Sequence, residues 1–308
     1  MKLTTIVSAL LFIGLTSCKQ KSNQNVKENP NDIETQSIIV NSEKLHYIIK
    51  GNGEPLIFVH GHISDYRTWK NQIDTFSTKY KVVAYSRRYA YPNKRVFNEK
   101  NDFSPKIHSE DLMELINVLG FNKVHLVGHS YGGYTALETA LNNPNRVKSL
   151  VLGEPPVLPL LKNSRRGDSL FNELKLNALE PSKDAFNKGD NEKGVATFVG
   201  GVMGDSSIFY KVSPKVKQMW MDNYVDLRGL VSKQEFTKID TTQLKKLNIP
   251  VLLIKGEFSP KRFSLIIDEL DRFLPQNKTY TLSNSSHGLQ GENPDDFNKE
   301  VLNFIDRN

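Results

Sequence analysis

Val124-His125-Leu126-Val127-Gly128-His129-Ser130-Tyr131-Gly132-Gly133 decides the architecture of this 308-residue chain. Its first four residues form a short apolar run suited to a buried strand, and Tyr134, Leu137, Glu138 and Leu141 then recur at helical spacing. Between the two lies a Gly-x-Ser-x-Gly pattern. A strand that turns into a helix within so few residues needs a strained central residue and neighbours without bulk, which glycine supplies. The turn lifts the Ser130 hydroxyl above the sheet and aims a helix N-terminus at it, where partial positive charge favours a developing oxyanion. A glycine-rich turn that merely packs closely is the competing reading, and the two flanking elements weigh against it.

Outward from this turn, the chain alternates strand and helix. Ile38-Ile39-Val40 and Leu45-His46-Tyr47-Ile48-Ile49 read as an antiparallel hairpin. Pro55-Leu56-Ile57-Phe58-Val59-His60 is an apolar run suited to a central parallel strand, and it ends in His60-Gly61-His62. A helix over residues 68–78 and the strand Lys81-Val82-Val83-Ala84-Tyr85 follow, then a helix over 108–119 with Leu112, Leu115, Ile116 and Leu119 on one stripe. Strand 147–154 comes after the serine turn. Alternation then breaks from about 155 to 245, where only helical patches are legible, near 169–179, 190–203 and 214–225. It resumes with strand 249–255, helix 260–274, strand 278–282 and helix 294–305, the last burying Phe297, Val301, Phe304 and Ile305. The expectation is an α/β fold with a doubly wound, mostly parallel sheet. Core segments 37–154 and 246–308 are interrupted after the sixth strand by a helical cap, 155–245.

This order of His-Gly, Gly-His-Ser-Tyr-Gly-Gly, helical insertion, Gly-Glu and Ser-His-Gly resembles the α/β-hydrolase superfamily over nearly all of residues 37–308. The resemblance implies a serine nucleophile, Ser130, served by a base. His287, in Ser285-Ser286-His287-Gly288 between the last strand and last helix, is the candidate base, whereas His125 and His129 suit packing or orienting roles. Relatives commonly place the acid in Gly-x-x-Asp after the seventh strand, but here the segment reads Gly256-Glu257-Phe258-Ser259, and Ser259 carries no charge to support an imidazolium. Two glutamates replace it as candidates. Glu154 closes the apolar run of the sixth strand, where some relatives carry their acid and where a buried carboxylate without a partner is costly; Glu257 is the alternative. The backbone N–H of Tyr131 supplies one oxyanion donor, and the resemblance assigns the second to the N–H of His62. Arg87 and Arg88, after the fourth strand, contact either a buried carboxylate and loop carbonyls or a substrate carboxylate. His60 and His62 lack the acidic or histidine neighbours that complete a metal site, so neither a metal nor another cofactor is expected.

Composition narrows the setting. Hydrophobic residues make up 38% and charged residues 24%, as in ordinary globular proteins. The net charge of +7 is scattered, with no basic helix or aromatic-interleaved stripe, which argues against nucleic acid as a partner and suits an anionic membrane surface. Lys2, the apolar stretch 6–15 and Leu15-Thr16-Ser17-Cys18 resemble a bacterial lipoprotein signal, residues 1–17, with Cys18 as the lipidation site. Cys18 is the single cysteine, which precludes an intramolecular disulfide. A polar tether, 18–36, follows. The reading is a hydrolase anchored in the bacterial cell envelope, cleaving a small carboxylic ester or lactone through an acyl-enzyme intermediate. A non-catalytic ligand-binding lipoprotein, a C–C bond hydrolase and a cofactor-free perhydrolase are the alternatives on the same fold.

Overall fold

The continuous apolar runs become the middle of a sheet. The computed structural model describes residues 34–308 except 94, 95, 235, 237 and 238. The expected signal peptide, Cys18 and nearly all of the tether lie outside the described residues. Eight strands among the described residues line up in the order β1-β2-β4-β3-β5-β6-β7-β8. They are β1 (Gln36–Val40), β2 (Glu43–Lys50), β3 (Pro55–Val59), β4 (Lys81–Tyr85), β5 (Val124–His129), β6 (Val147–Gly153), β7 (Val251–Gly256) and β8 (Asn277–Leu282). β1 pairs antiparallel with β2 and β2 with β4, and the remaining pairings are parallel. Residues 56–59, 82–85 and 124–128 are buried without alternation, because helices cover both faces of the parallel part.

Helices α1 (Lys70–Phe76), α2 (Pro105–Val118) and α3 (Tyr131–Asn142) connect the first six strands. The helix expected over 68–78 is shorter, because Tyr66–Trp69 forms a 3-10 turn capped by the Asp65 side chain. The helix expected at 108 begins earlier, at Pro105, whose missing N–H costs nothing in a first helical turn. Its stripe of Leu112, Leu115 and Ile116 is fully buried.

Between β6 and β7 the chain forms α4 (Arg165–Leu174), α5 (Glu180–Asn187), α6 (Asn191–Met203), α7 (Ile208–Lys211), α8 (Pro214–Asp222), α9 (Tyr224–Lys233) and α10 (Thr241–Lys246). A π-helical turn, Lys175–Leu179, joins α4 to α5. The helical patch expected over 214–225 is two helices, broken at Asn223. The buried Asn223 side chain donates to Asp65 and accepts from the backbone of Tyr91, which fixes the break against the core. The core closes with α11 (Lys261–Phe273), α12 (Leu289–Glu292) and α13 (Pro294–Ile305). Strand order reverses at β3, which has β4 on one side and β5 on the other. Ligands of open α/β sheets bind outside the carboxyl ends of strands at such a switch point. His60, Gly61 and Ser130 follow those ends.

Candidate active site

The turn after β5 is as tight as its glycines imply. Ser130 has φ 52° and ψ −127°, a left-handed conformation that costs a non-glycine residue about 1–3 kcal/mol. A Cβ on Gly132 would lie 2.1 Å from the Val59 carbonyl oxygen, and one on Gly128 would lie 2.5 Å from that of Gly132. Neither glycine can carry a side chain without moving α3 off β3. The Ser130 N–H donates to the Gly153 carbonyl at 2.7 Å, tying the turn to the end of β6.

Ser130, His287 and Glu154 meet at this point. Ser130 Oγ lies 3.0 Å from His287 Nε2, and His287 Nδ1 lies 2.6 Å from Glu154 Oε2. A carboxylate can only accept, so the imidazole proton sits on Nδ1 and leaves the Nε2 lone pair for the serine hydroxyl. The other Glu154 oxygen accepts from the Gly256 N–H at 2.8 Å, which aims the carboxylate along the imidazole edge. Glu154 is wholly buried and takes φ 45° as the chain leaves β6. Glu257 is not brought to this cluster: it is exposed and accepts from the Asn284 N–H.

Two further groups hold the imidazole. Phe263 on α11 stacks on the His287 ring at 4.0 Å and 14°. His129 Nε2–H donates to the His287 carbonyl at 2.6 Å. Burial, reinforced by nearby His287, pushes the His129 imidazole down to about 3, so it stays neutral and serves as a fixed donor. The orienting role expected of His129 thus has a specific object. Phe263 carried no signal in the sequence, where it is one apolar residue on the buried stripe of a helix.

The loop after β3 faces Ser130 from the other side. A Cβ on Gly61 would lie 3.1 Å from the Ser130 Cβ. Ile63 takes φ 51°, an outlier for a β-branched residue, two positions further on. Tyr131 is the first residue of α3, so its N–H has no partner within the helix. The rings of Tyr131 and His62 pack against each other at 3.8 Å.

Arg87 and Arg88 turn away from the cavity. Arg88 forms a two-pronged pair with Asp111 on α2. Arg87 is 1% exposed and donates to the carbonyls of His60 (3.1 Å) and Gly61 (3.0 Å) and to Asp226 of α9 (2.6 Å). Of the two expectations for these arginines, the carboxylate and loop contacts are therefore the ones present, and neither side chain lines the cavity beside Ser130. His60 accepts the Arg87 N–H at Nε2 and so donates from Nδ1 to the Gly61 carbonyl, while His62 Nδ1 lies 2.8 Å from Asp226. These contacts occupy both nitrogens of His60 and one of His62. Burial alone would raise the Asp226 carboxyl, but Arg87 and then His62 and His108 outweigh it and hold it well below the usual carboxylate range. The His62 imidazole is pushed down by burial despite Asp226. Asp226 was not anticipated, although a charged residue inside the apolar run Val225-Asp226-Leu227 was a visible signal.

A cavity of about 350 Å³ opens above Ser130 and His287. The cap supplies its walls through Leu174, Leu179, Phe198, Val202, Met203 and Trp220, among others. Phe198, Val202, Met203 and Trp220 line the cavity, whereas Met221 and Tyr224 pack against the core without lining it. Among the described residues Glu292 is the one formally charged side chain in the lining, and it is engaged with the Ser286 hydroxyl at 2.8 Å. No lysine or arginine reaches the cavity among the described residues.

Residues 54–294 match a family model described as the alpha/beta hydrolase fold. The chain is 24% identical over 278 residues to the "Uncharacterized carboxylesterase nap" of Bacillus subtilis, spanning 84% of this chain and 82% of the other. It is 27% identical over 121 residues to a "Soluble epoxide hydrolase" of a Corynebacterium species, a match covering 39% of this chain and 41% of that protein. The solved structure of carboxylesterase CesB from Bacillus subtilis superposes with a TM-score of 0.66 at 20% identity, covering 90% of this chain and 92% of that one. At that identity the likeness is one of fold.

Proposed function

The chain belongs to the α/β-hydrolase fold family, and on that premise we propose that it is a serine hydrolase cleaving a neutral carboxylic ester or lactone through an acyl-enzyme. The observation that carries this reading is the hydrogen-bonded line from Ser130 Oγ through His287 to Glu154 at the floor of an apolar cavity whose lining, among the described residues, includes no lysine or arginine.

In the proposed reaction the Ser130 oxygen attacks the ester carbonyl while its proton passes to His287 Nε2. Glu154 stabilises the imidazolium through Nδ1–H. The oxyanion is received by the N–H groups of Tyr131 and His62. Collapse of the tetrahedral species transfers the Nε2 proton to the departing alcohol and leaves an acyl ester on Ser130. Water, losing a proton to His287, then attacks that ester and releases the acid. The apolar walls favour an uncharged acyl portion, since a free carboxylate against them would lose its hydration, with no cation to replace it among the described lining residues.

Chemistry at position 130 separates this reading from the epoxide-opening activity named for one relative. Serine attack on an epoxide carbon would give an ether, which His287-activated water cannot hydrolyse. Attack on an acyl carbon gives an ester, which it can.

The test is labelling with a fluorophosphonate probe, paired with a panel of 4-nitrophenyl esters and lactones. Wild type labels and turns over, and Ser130→Ala loses labelling and about 10⁶-fold in kcat. A folded wild-type protein that neither labels nor hydrolyses any substrate would overturn the proposal and favour a ligand-binding role. We further propose that Cys18 carries a lipid anchor holding the enzyme in the cell envelope. The support is the Leu15-Thr16-Ser17-Cys18 sequence, and unchanged incorporation of labelled palmitate into a Cys18→Ala variant would count against it.

A further inference from the structure

We infer that Asp226, a cap residue remote from Ser130 in sequence, is a positioning residue for the oxyanion hole, acting through Arg87 and His62 on the Gly61–His62 peptide. This rests on the serine-hydrolase reading above. The carbonyl of Gly61 is held by two donors, Arg87 Nη2 at 3.0 Å and His60 Nδ1 at 2.8 Å. In a trans peptide the C=O and the following N–H point to opposite sides. Fixing the Gly61 oxygen toward Arg87 therefore turns the His62 N–H away from Arg87, and Gly61 itself packs against Ser130.

Arg87 is itself aimed by Asp226, whose Oδ2 takes Nη2 at 2.6 Å and the His62 ring at 2.8 Å. One carboxylate oxygen thus grips both the residue that orients the peptide and the side chain of the residue that bears the N–H. His108 Nε2 faces the other oxygen at 3.5 Å. The His62 ring packs against that of Tyr131 at 3.8 Å and a tilt of 35°, so the two residues carrying the oxyanion N–H groups are in direct contact. Tyr131 is locked in turn by its hydroxyl, which donates to the Phe103 carbonyl at 2.6 Å. Asp226 belongs to α9, so the donor pair is complete only with the cap seated on the core. A second cap-to-core ion pair, Arg67 with Asp222 at 2.8 Å, touches none of these groups and offers the control.

The experiment uses the protein from residue 34 onward together with the full chain in detergent, with 4-nitrophenyl butyrate as substrate. Asp226→Asn keeps size and removes the charge. The double variant Arg87→Met/Asp226→Leu leaves no unpaired buried charge, so it tests the idea if the single variant does not fold. Folding is checked by urea denaturation. The expected result is a kcat lower by about 10²-fold with KM within about threefold, the size seen when one oxyanion donor is lost. The inhibition constant of an alkyl trifluoromethyl ketone, which forms a tetrahedral adduct, weakens in parallel, while that of butanoate, the product, holds. Asp222→Asn stays within about twofold of wild type, as expected of a partly exposed pair. A folded Asp226 variant with wild-type kcat, or one that loses only KM while binding the ketone normally, overturns the inference. Wild type that fails to hydrolyse or label instead overturns the serine-hydrolase reading on which it stands.

Discussion

At the scale of single residues, Glu154 shows how position on a strand selects one carboxylate over another. It leaves β6 with φ 45°, buried, with one oxygen on Gly256 N–H and the other on His287. Glu257, two residues before the usual acid position and nearer to it in sequence than any other carboxylate, points to solvent and caps the Asn284 amide. Glu154→Gln is therefore expected to lower kcat by about 10⁴-fold, because the amide neither fixes the Nδ1–H tautomer nor supports an imidazolium. Glu257→Gln is expected to leave kcat within about twofold, a surface change of the kind that rarely matters. Steady-state hydrolysis of a 4-nitrophenyl ester by the two variants decides it; equal losses would remove Glu154 from its assigned place.

At the scale of elements, the junction of β5, α3 and β3 is set by contact between backbones. A methyl group on Gly132 would lie 2.1 Å from the Val59 oxygen and 2.5 Å from the His60 oxygen. Gly132→Ala must push α3 away from β3, and overpacking of this sort costs about 1–3 kcal/mol or more. Gly291→Ala offers the comparison, since no heavy atom lies within 4 Å of a Cβ built there. Its effect is expected within about 0.5 kcal/mol. Urea denaturation of both variants gives the answer, and a Gly132→Ala protein as stable as wild type would show that the helix has room to move.

At the scale of the whole molecule, five imidazoles whose titration is lowered by burial tie stability to pH. Burial pushes His60 well below its ordinary value of 6.5, lowers His62 and His125, and takes His108 to about 4 and His129 to about 3. Each keeps its neutral form to a lower pH in the folded chain than in the unfolded chain, which takes up the protons below about 6.5. The unfolded state then binds more protons, so stability is full above that pH and falls as pH drops toward the folded values. Each group contributes up to about 1.4 kcal/mol per pH unit across its window. Asp226 acts lower, its stabilisation being lost as pH falls below the ordinary carboxylate value of 3.8. The urea midpoint is expected to fall between pH 7.5 and pH 5, and His129→Gln to reduce that slope by one group's share. A midpoint independent of pH over this range would contradict the assignment.

The sequence by itself determined the strands and the serine turn and singled out Ser130, His287 and the Glu154–Glu257 pair as candidates, because each rests on local rules. Apolar runs bounded by turns specify buried strands, helical spacing specifies the stripe on α2, and glycines on both sides of a serine specify a turn that tolerates no bulk. It left open which glutamate lies beside His287, the contacts of Arg87 and Arg88, and the wall of the cavity. Those were settled only in the tertiary structure, since they depend on which distant segments meet: Glu154 with His287 across 133 positions, and Arg87 with Asp226 across 139. A buried charge takes the partner that the packed chain brings within hydrogen-bonding reach, and no local pattern records which one that is.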